Sequence, residues 1–188
     1  MSTNGPRKLE PKEIFDKLVQ RLKSKKYDVL RPAWTAPVLA IFEEMGRESG
    51  YFVEQDSHGR RDLIWWSFSE DDKRDIELAL EYENGGSNDL VDEVRKKLIP
   101  VQSHFKCGVA LDNSPAVTRK HHQEIEQLMD AYQVKDSVET TWFFMALYFD
   151  VGRFPEEELP NVIGYVGNSK DGHWKIEEKW RCENLSAK

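Results

Sequence analysis

Disulfides are the first thing this sequence lacks. Its 188 residues hold only two cysteines, Cys107 and Cys182, too few for a stapled scaffold. A reduced, cytoplasmic setting is the expectation. No apolar run approaches the ~18 residues that span a bilayer, so no membrane association is expected. The start, Met-Ser-Thr-Asn-Gly-Pro, has no apolar stretch of the signal-peptide kind. The sequence also has no Gly-rich phosphate loop, no Ser-His-Asp arrangement and no Cys-x-x-Cys pair. Neither an internal repeat nor a linker composition interrupts it, so residues 1–188 read as a single domain. A hydrophobic content of 39% and an aromatic content of 11% are enough to build its core.

Positive charge is scarce and unevenly spread. The formal net charge is −7, from 27 basic and 34 acidic residues. Residues 1–31 carry nine Lys/Arg against four Asp/Glu, which leaves 18 against 30 for the remainder. An acidic body opposes strong non-specific binding to nucleic acid. The basic N-terminal segment softens that objection, although a basic amphipathic helix is more often simply solvated.

Periodicity gives the element order. Residues 1–8 are expected to be disordered. Ile14, Phe15, Leu18 and Leu22 recur at helical spacing after Pro11. Tyr27–Pro32 reads as a connector, and Thr35 with Pro37 opens a second helix with the stripe Val38, Ile41, Phe42 and Met45. Tyr51–Val53 and Asp62–Phe68 are expected to form a hairpin across an Asp56–Gly59 turn. A charged turn, Ser69–Arg74, follows. Asn84–Ser87 ends the next strand, and Asn88 caps a helix with the stripe Leu90, Val91, Val94 and Leu98, which Pro100 kinks or stops. Phe105–Leu111 is a strand whose small Gly108 and Ala110 admit a close helix. Ser114-Pro115 starts a helix running to about Tyr132. Thr140–Phe149 is apolar on both faces, as a strand buried on both sides would be. Two more strands are expected near Val162–Val166 and Trp174–Trp180, joined by a turn at Asn168–Gly172.

The stretch Asp75–Glu83, Asp-Ile-Glu-Leu-Ala-Leu-Glu-Tyr-Glu, alternates with the period of a strand. Ile76, Leu78, Leu80 and Tyr82 fall on one face. Glu77, Ala79, Glu81 and Glu83 fall on the other, so like charges crowd together and call for water, basic partners or a cation. Glu77 reads as a peripheral, solvated member. A solvated sheet face is the plain explanation for such a pattern.

The order helix, three strands, helix, strand, with Asp62 opening the second strand and Glu81 19 residues later on the third, resembles the PD-(D/E)xK nuclease superfamily. The resemblance covers about residues 34–111. It implies an α/β fold with a restriction-endonuclease-like αβββαβ core, an extra N-terminal helix and a C-terminal αβββ extension. It further implies that Asp62 and Glu81 hold Mg²⁺ or Mn²⁺, with a helix acid, Glu48 or Glu44, as a further ligand. Position 83 is Glu where the family motif has Lys. Lys106 on the next strand or Lys97 on the following helix would then supply the lysine, or Glu83 would itself be a metal ligand. Gln102, just past that helix, would reach a phosphate or a metal-bound water. Hydrolysis of nucleic acid is the implied activity. The alternatives are a catalytically inactive nuclease-fold protein that binds a protein partner, and an unrelated α/β domain.

Other candidates carry less. His121-His122 with Glu124 and Glu126 lacks zinc-protease spacing and reads as a solvated helix face. Cys107 reads as a buried small hydrophobe. Trp142 is expected in the core, and Trp65 and Trp66 alternate across a strand so that one is exposed.

Overall fold

Alternating and helical apolar patterns become a mixed sheet with helices on both faces. The computed structural model describes residues 6–24, 35–55, 62–69, 71–84, 87–112, 114–134, 140–148 and 160–183. The element order is α1 (Pro11–Ser24), α2 (Thr35–Glu48), β1 (Phe52–Glu54), β2 (Leu63–Phe68), β3 (Arg74–Glu83), α3 (Ser87–Glu93), a π-helical turn (Val94–Leu98), β4 (Phe105–Asp112), α4 (Pro115–Ala131), β5 (Thr141–Tyr148), β6 (Asn161–Lys170) and β7 (His173–Cys182). The seven strands lie side by side in chain order. β1, β2 and β3 form an antiparallel meander, β3, β4 and β5 run parallel, and β6 and β7 return antiparallel. The expected α/β class is therefore present, with four helices and a mixed sheet among the described residues. The expected connector at Tyr27–Pro32 and the Asp56–Gly59 turn lie outside the described residues.

Each sheet face has its own core. On one side the stripes Ile14, Phe15, Leu18, Leu22 and Val38, Ile41, Phe42, Met45 pack against Leu63, Trp65, Leu80, Cys107 and Phe143. Trp65 comes so near α2 that its indole donates to the Phe42 carbonyl at 3.0 Å. A Cβ on Gly46 would meet that indole at 2.5 Å. On the other side Leu90, Val94, Leu98, Ile125 and Met129 cover Ala79, Ala110, Trp142 and Phe144. A Cβ on Gly108 would sit 3.1 Å from Leu90, so the small residues of β4 do admit α3 closely. Cys107 is fully buried, and burial pushes its thiol up, as suits an inert core residue.

α4 also closes the far edge of the sheet. Asp130 accepts from Trp174 N–H at 2.8 Å, and Glu126 accepts from Ile176 N–H at 2.6 Å. These carboxylates occupy edge donors of β7 that would otherwise invite another strand.

Several local expectations are corrected. β3 carries one extra residue opposite the Trp65–Trp66 step, because Trp65 pairs with Leu78 and Trp66 with Ile76. This bulge at Glu77 resets the alternation. Leu78, Leu80 and Tyr82 face α1 and α2, while Ile76 packs on the opposite side. Glu77 is not solvated but 8% exposed. Burial pushes its carboxyl up, against the pull of His104, Lys8 and a hydrogen bond with Tyr51. His121 and His122 are likewise buried, not on a solvated face. Thr118, His121, His122, Ile125 and Met129 form the inner stripe of α4 at helical spacing. The His122 ring lies 4.4 Å from that of Tyr165, and burial, with His121 adding to it, lowers its pKa to about 3. α3 starts at Ser87, so Asn88 lies inside it rather than capping it. The last hairpin turns on Asp171 and Gly172, both at positive φ, and β6 runs on to Lys170. Of residues 1–8, expected to be disordered, 1–5 lie outside the described residues; Arg7 N–H bonds the Ser49 carbonyl at 2.8 Å, and Leu9 just beyond is buried.

Candidate functional site

Asp62, Glu81 and Glu83 gather at the carboxyl end of β3, below α3. Glu81 sits opposite Gly108 of β4, where Phe144 and Leu90 close over the missing side chain. Its own side chain is completely buried. Water therefore does not solvate it, which overturns the solvent-face explanation for this residue. Glu81 Oε2 accepts from Lys97 Nζ at 3.0 Å, and Oε1 has no hydrogen-bond partner among the described residues.

Asp62 comes from the residue before β2. Its N–H bonds the Leu80 carbonyl at 3.2 Å, and its Oδ2 accepts from Tyr82 N–H at 2.7 Å. The carboxylate is thus pinned to the β3 backbone beside Glu81. Glu83 is half-buried two residues beyond Glu81 on β3.

Lys97 reaches the cluster from the π-helical turn. The Ile99 N–H bonds the Val94 carbonyl at 2.8 Å, five residues back, so the helix widens by one residue per turn here. Leu90, Val94 and Leu98, spaced by four, stay buried along this stretch. Lys97 Nζ forms ion pairs with both Glu81 and Glu93.

Electrostatics mark these carboxyls as crowded. Burial raises the Glu81 pKa to about 8, with Lys97 opposing and Asp62 and Glu93 adding to the rise. Burial raises that of Glu83 to about 7, reinforced by Glu93 and Asp62. Asp62 is also raised by burial, against the Tyr82 N–H and Lys97. Burial alone would lower Lys97, but its bonds with Glu93 and Glu81 outweigh that and hold it above its ordinary value. Fully ionised, the cluster would carry more negative charge than one lysine offsets.

The other expected residues lie elsewhere. Lys106 is buried on β4, donates to the Ile99 carbonyl at 3.2 Å and lies 4.7 Å from the Trp142 ring centre. With exposed Gln102 and the His104–Asp75 pair it lines a separate cleft of about 650 Å³. Glu44 and Glu48 are exposed on α2, in the opposite layer, and both pair with Arg21 of α1. Glu93 was missed by the sequence reading. Its signal is the four-residue spacing to Lys97 on one helix face.

Among the described residues, no three His, Cys, Asp or Glu side chains converge as a ready-made metal site. The donor chemistry nevertheless suits a hard divalent ion: carboxylate oxygens, one of them buried and without a hydrogen-bond partner among the described residues. Such an ion would offset the burial that chiefly raises these carboxyls, and the smaller push they exert on one another. Compared with known proteins, the chain matches no family model and no curated protein.

Proposed function

We propose that the chain is a divergent metal-dependent nuclease-like protein acting on nucleic acid phosphodiesters. The observation that carries this reading is the buried Glu81, with an Oε1 that has no partner among the described residues, between Asp62 and Lys97. The helix–three strands–helix–strand order, with β3 and β4 parallel, supports the PD-(D/E)xK resemblance.

In this reading Asp62 and Glu81 hold Mg²⁺ or Mn²⁺, with Glu83 beside them. A bound divalent ion supplies charge stabilisation at phosphate oxygens and acidifies a water. Lys97 takes the part of the absent motif lysine. Its ammonium already lies against Glu81, where it would donate to a phosphate oxygen or to the attacking water. Lys106 is committed to Ile99 and Trp142, away from Glu81. The test is cleavage of labelled DNA and RNA with Mn²⁺. Activity lost in Glu81→Gln and Asp62→Asn is expected, with both variants folded. Activity equal in parent and variants, or none with any substrate, overturns it.

One observation favours a second reading, a catalytically inactive nuclease-fold protein that binds a partner. Lys97 already bridges Glu81 and Glu93, as a structural ion pair does. Under this reading Lys97→Ala harms folding alone and no cleavage accompanies Mn²⁺.

A further inference from the structure

The cleft beside Lys106 lies at the amino end of β4, where the chain returns from the π-helical turn. Its volume of about 650 Å³ suits a small organic molecule. Ile99, Gln102 and Ser103 of the return loop line it, with Lys106 of β4 and with Tyr132 and Val134 just past α4. Its acid, Asp75, is faced by His104 at 3.3 Å.

Two features of the wall call for an anion. A cation is built into it: Lys106 is only 6% exposed, and the Ile99 carbonyl and the Trp142 ring fix its ammonium in place. An ammonium carries three donors, so it can hold that carbonyl and an oxyanion together. Salt screens a buried charge far less than a surface one. Beside Lys106, two successive backbone donors lack an acceptor. Val101 and His104 N–H bond the Leu98 and Ile76 carbonyls at 3.3 and 3.1 Å, but Gln102 and Ser103 N–H have no hydrogen-bond partner among the described residues. Ser103 is 9% exposed, and buried N–H groups nearly always have a partner. Its hydroxyl is spent on the Phe105 carbonyl at 3.0 Å. Successive N–H groups of this kind are what an oxyanion accepts from.

We propose that this cleft binds a small organic anion. Its carboxylate or phosphate takes the Gln102 and Ser103 N–H groups together with the Lys106 ammonium. Its apolar body lies against Val134 and the ring of Tyr132, which is 56% exposed at the cleft wall. The site is separate from the Glu81 cluster and stands or falls without the nuclease-like reading. The chain as a whole is acidic, so local donors and not long-range steering give the affinity.

The test titrates the isotope-labelled full chain with benzoate, phenyl phosphate, neutral benzamide and inorganic phosphate, and follows backbone amides by NMR. Benzoate or phenyl phosphate is expected to move the Gln102 and Ser103 amide protons downfield and to saturate, and the tighter of the two names the oxyanion. Benzamide, which lacks the charge, and inorganic phosphate, which lacks the body, are each expected to bind roughly tenfold more weakly. Lys106→Met is expected to weaken both aromatic anions by about tenfold or more. Lys106 is buried, so that variant is compared with the parent by its amide spectrum away from the cleft. Tyr132→Ala removes an exposed ring, and is expected to keep the melting temperature and to bring the aromatic anions down towards inorganic phosphate. If Lys106→Met does not fold, Tyr132→Ala and the parent titrations decide. Gln102 and Ser103 amides that stay put in the parent overturn the site. So does benzamide or inorganic phosphate binding as tightly as the aromatic anions, or full affinity in the folded variants.

Discussion

Lys97 Nζ lies 3.0 Å from Glu81 Oε2 and pairs on its other side with Glu93. Glu81 is fully buried and Lys97 only 21% exposed. Breaking such a pair strands a charge in a dry place, at a cost of about 3–5 kcal/mol when the orphan stays ionised. Glu81 has an escape, because its pKa of about 8 lets it take up a proton. Lys97→Met is therefore expected to destabilise the fold by about 3 kcal/mol at pH 9 and by clearly less at pH 6. Adding Glu81→Gln should recover much of the loss. Urea denaturation of the three variants at both pH values measures this. A loss independent of pH would mean that the stem of Lys97, not its charge, holds the turn.

The same carboxyls give the parent a pH dependence of definite sign. Glu81 and Glu83 ionise less readily folded than unfolded, so the folded state holds more protons between their ordinary pKa and the raised values of about 8 and 7. Stability then falls as pH rises through that window. His122 works at the other end. Its pKa of about 3 means that it stays neutral when folded, so stability falls as pH drops below about 6.5. Between pH 4.5 and 6.5 two carboxyls outweigh one imidazole, so a stability maximum near pH 4.5 is expected from these groups. Glu81→Gln should flatten the alkaline limb and His122→Phe the acid limb. Thermal melts across about pH 3–9 would show it. An alkaline limb unaffected by Glu81→Gln would remove Glu81 as its source.

Gly46 offers a test of packing away from the site. A methyl group there would lie 2.5 Å from the Trp65 indole nitrogen, which bonds the Phe42 carbonyl. Gly46→Ala gains helix propensity of about 1 kcal/mol but must push α2 from β2 or turn the indole. A net loss of about 1–3 kcal/mol is expected, with a shift in tryptophan fluorescence as the indole loses its acceptor. Unchanged stability and emission would mean that α2 rides over β2 more loosely than these distances say.

The α/β class and the order of elements were legible because apolar periodicity is a local signal. The strand through Glu81 and the inner stripe of α3 could be read from spacing alone. The bulge at Glu77 could not, since one inserted residue leaves the alternation in the sequence intact and only pairing with Trp65 and Trp66 exposes it. His121 and His122 were misread because polar type outweighed position. Their spacing to Ile125 and Met129 already marks the inner face. At the candidate site, the closeness of Asp62 and Glu81 was readable from strand order. That Lys97 and not Lys106 lies against Glu81 depends on the path of the π-helical turn, and that Glu48 stands on the opposite layer, paired with Arg21, depends on the packing of α2.

Metal binding by the cluster should be coupled to proton release. A divalent ion takes ionised carboxylates, and Glu81 and Glu83 are substantially protonated near neutral pH. Mn²⁺ is expected to raise the melting temperature more at pH 8 than at pH 6.5, with an apparent affinity about tenfold tighter at the higher pH. Calorimetry in two buffers of different ionisation enthalpy should find protons released on binding at pH 7. Asp62→Asn and Glu81→Gln should each remove the stabilisation, while Glu48→Gln, on the far layer, should not. Lys97→Met separates the two roles of the lysine. If Lys97 competes with the ion for Glu81, the variant binds Mn²⁺ more tightly while losing whatever cleavage the parent has. Binding unchanged in Glu81→Gln, or equal at both pH values, would place the ion elsewhere and leave Lys97 as a structural counter-charge.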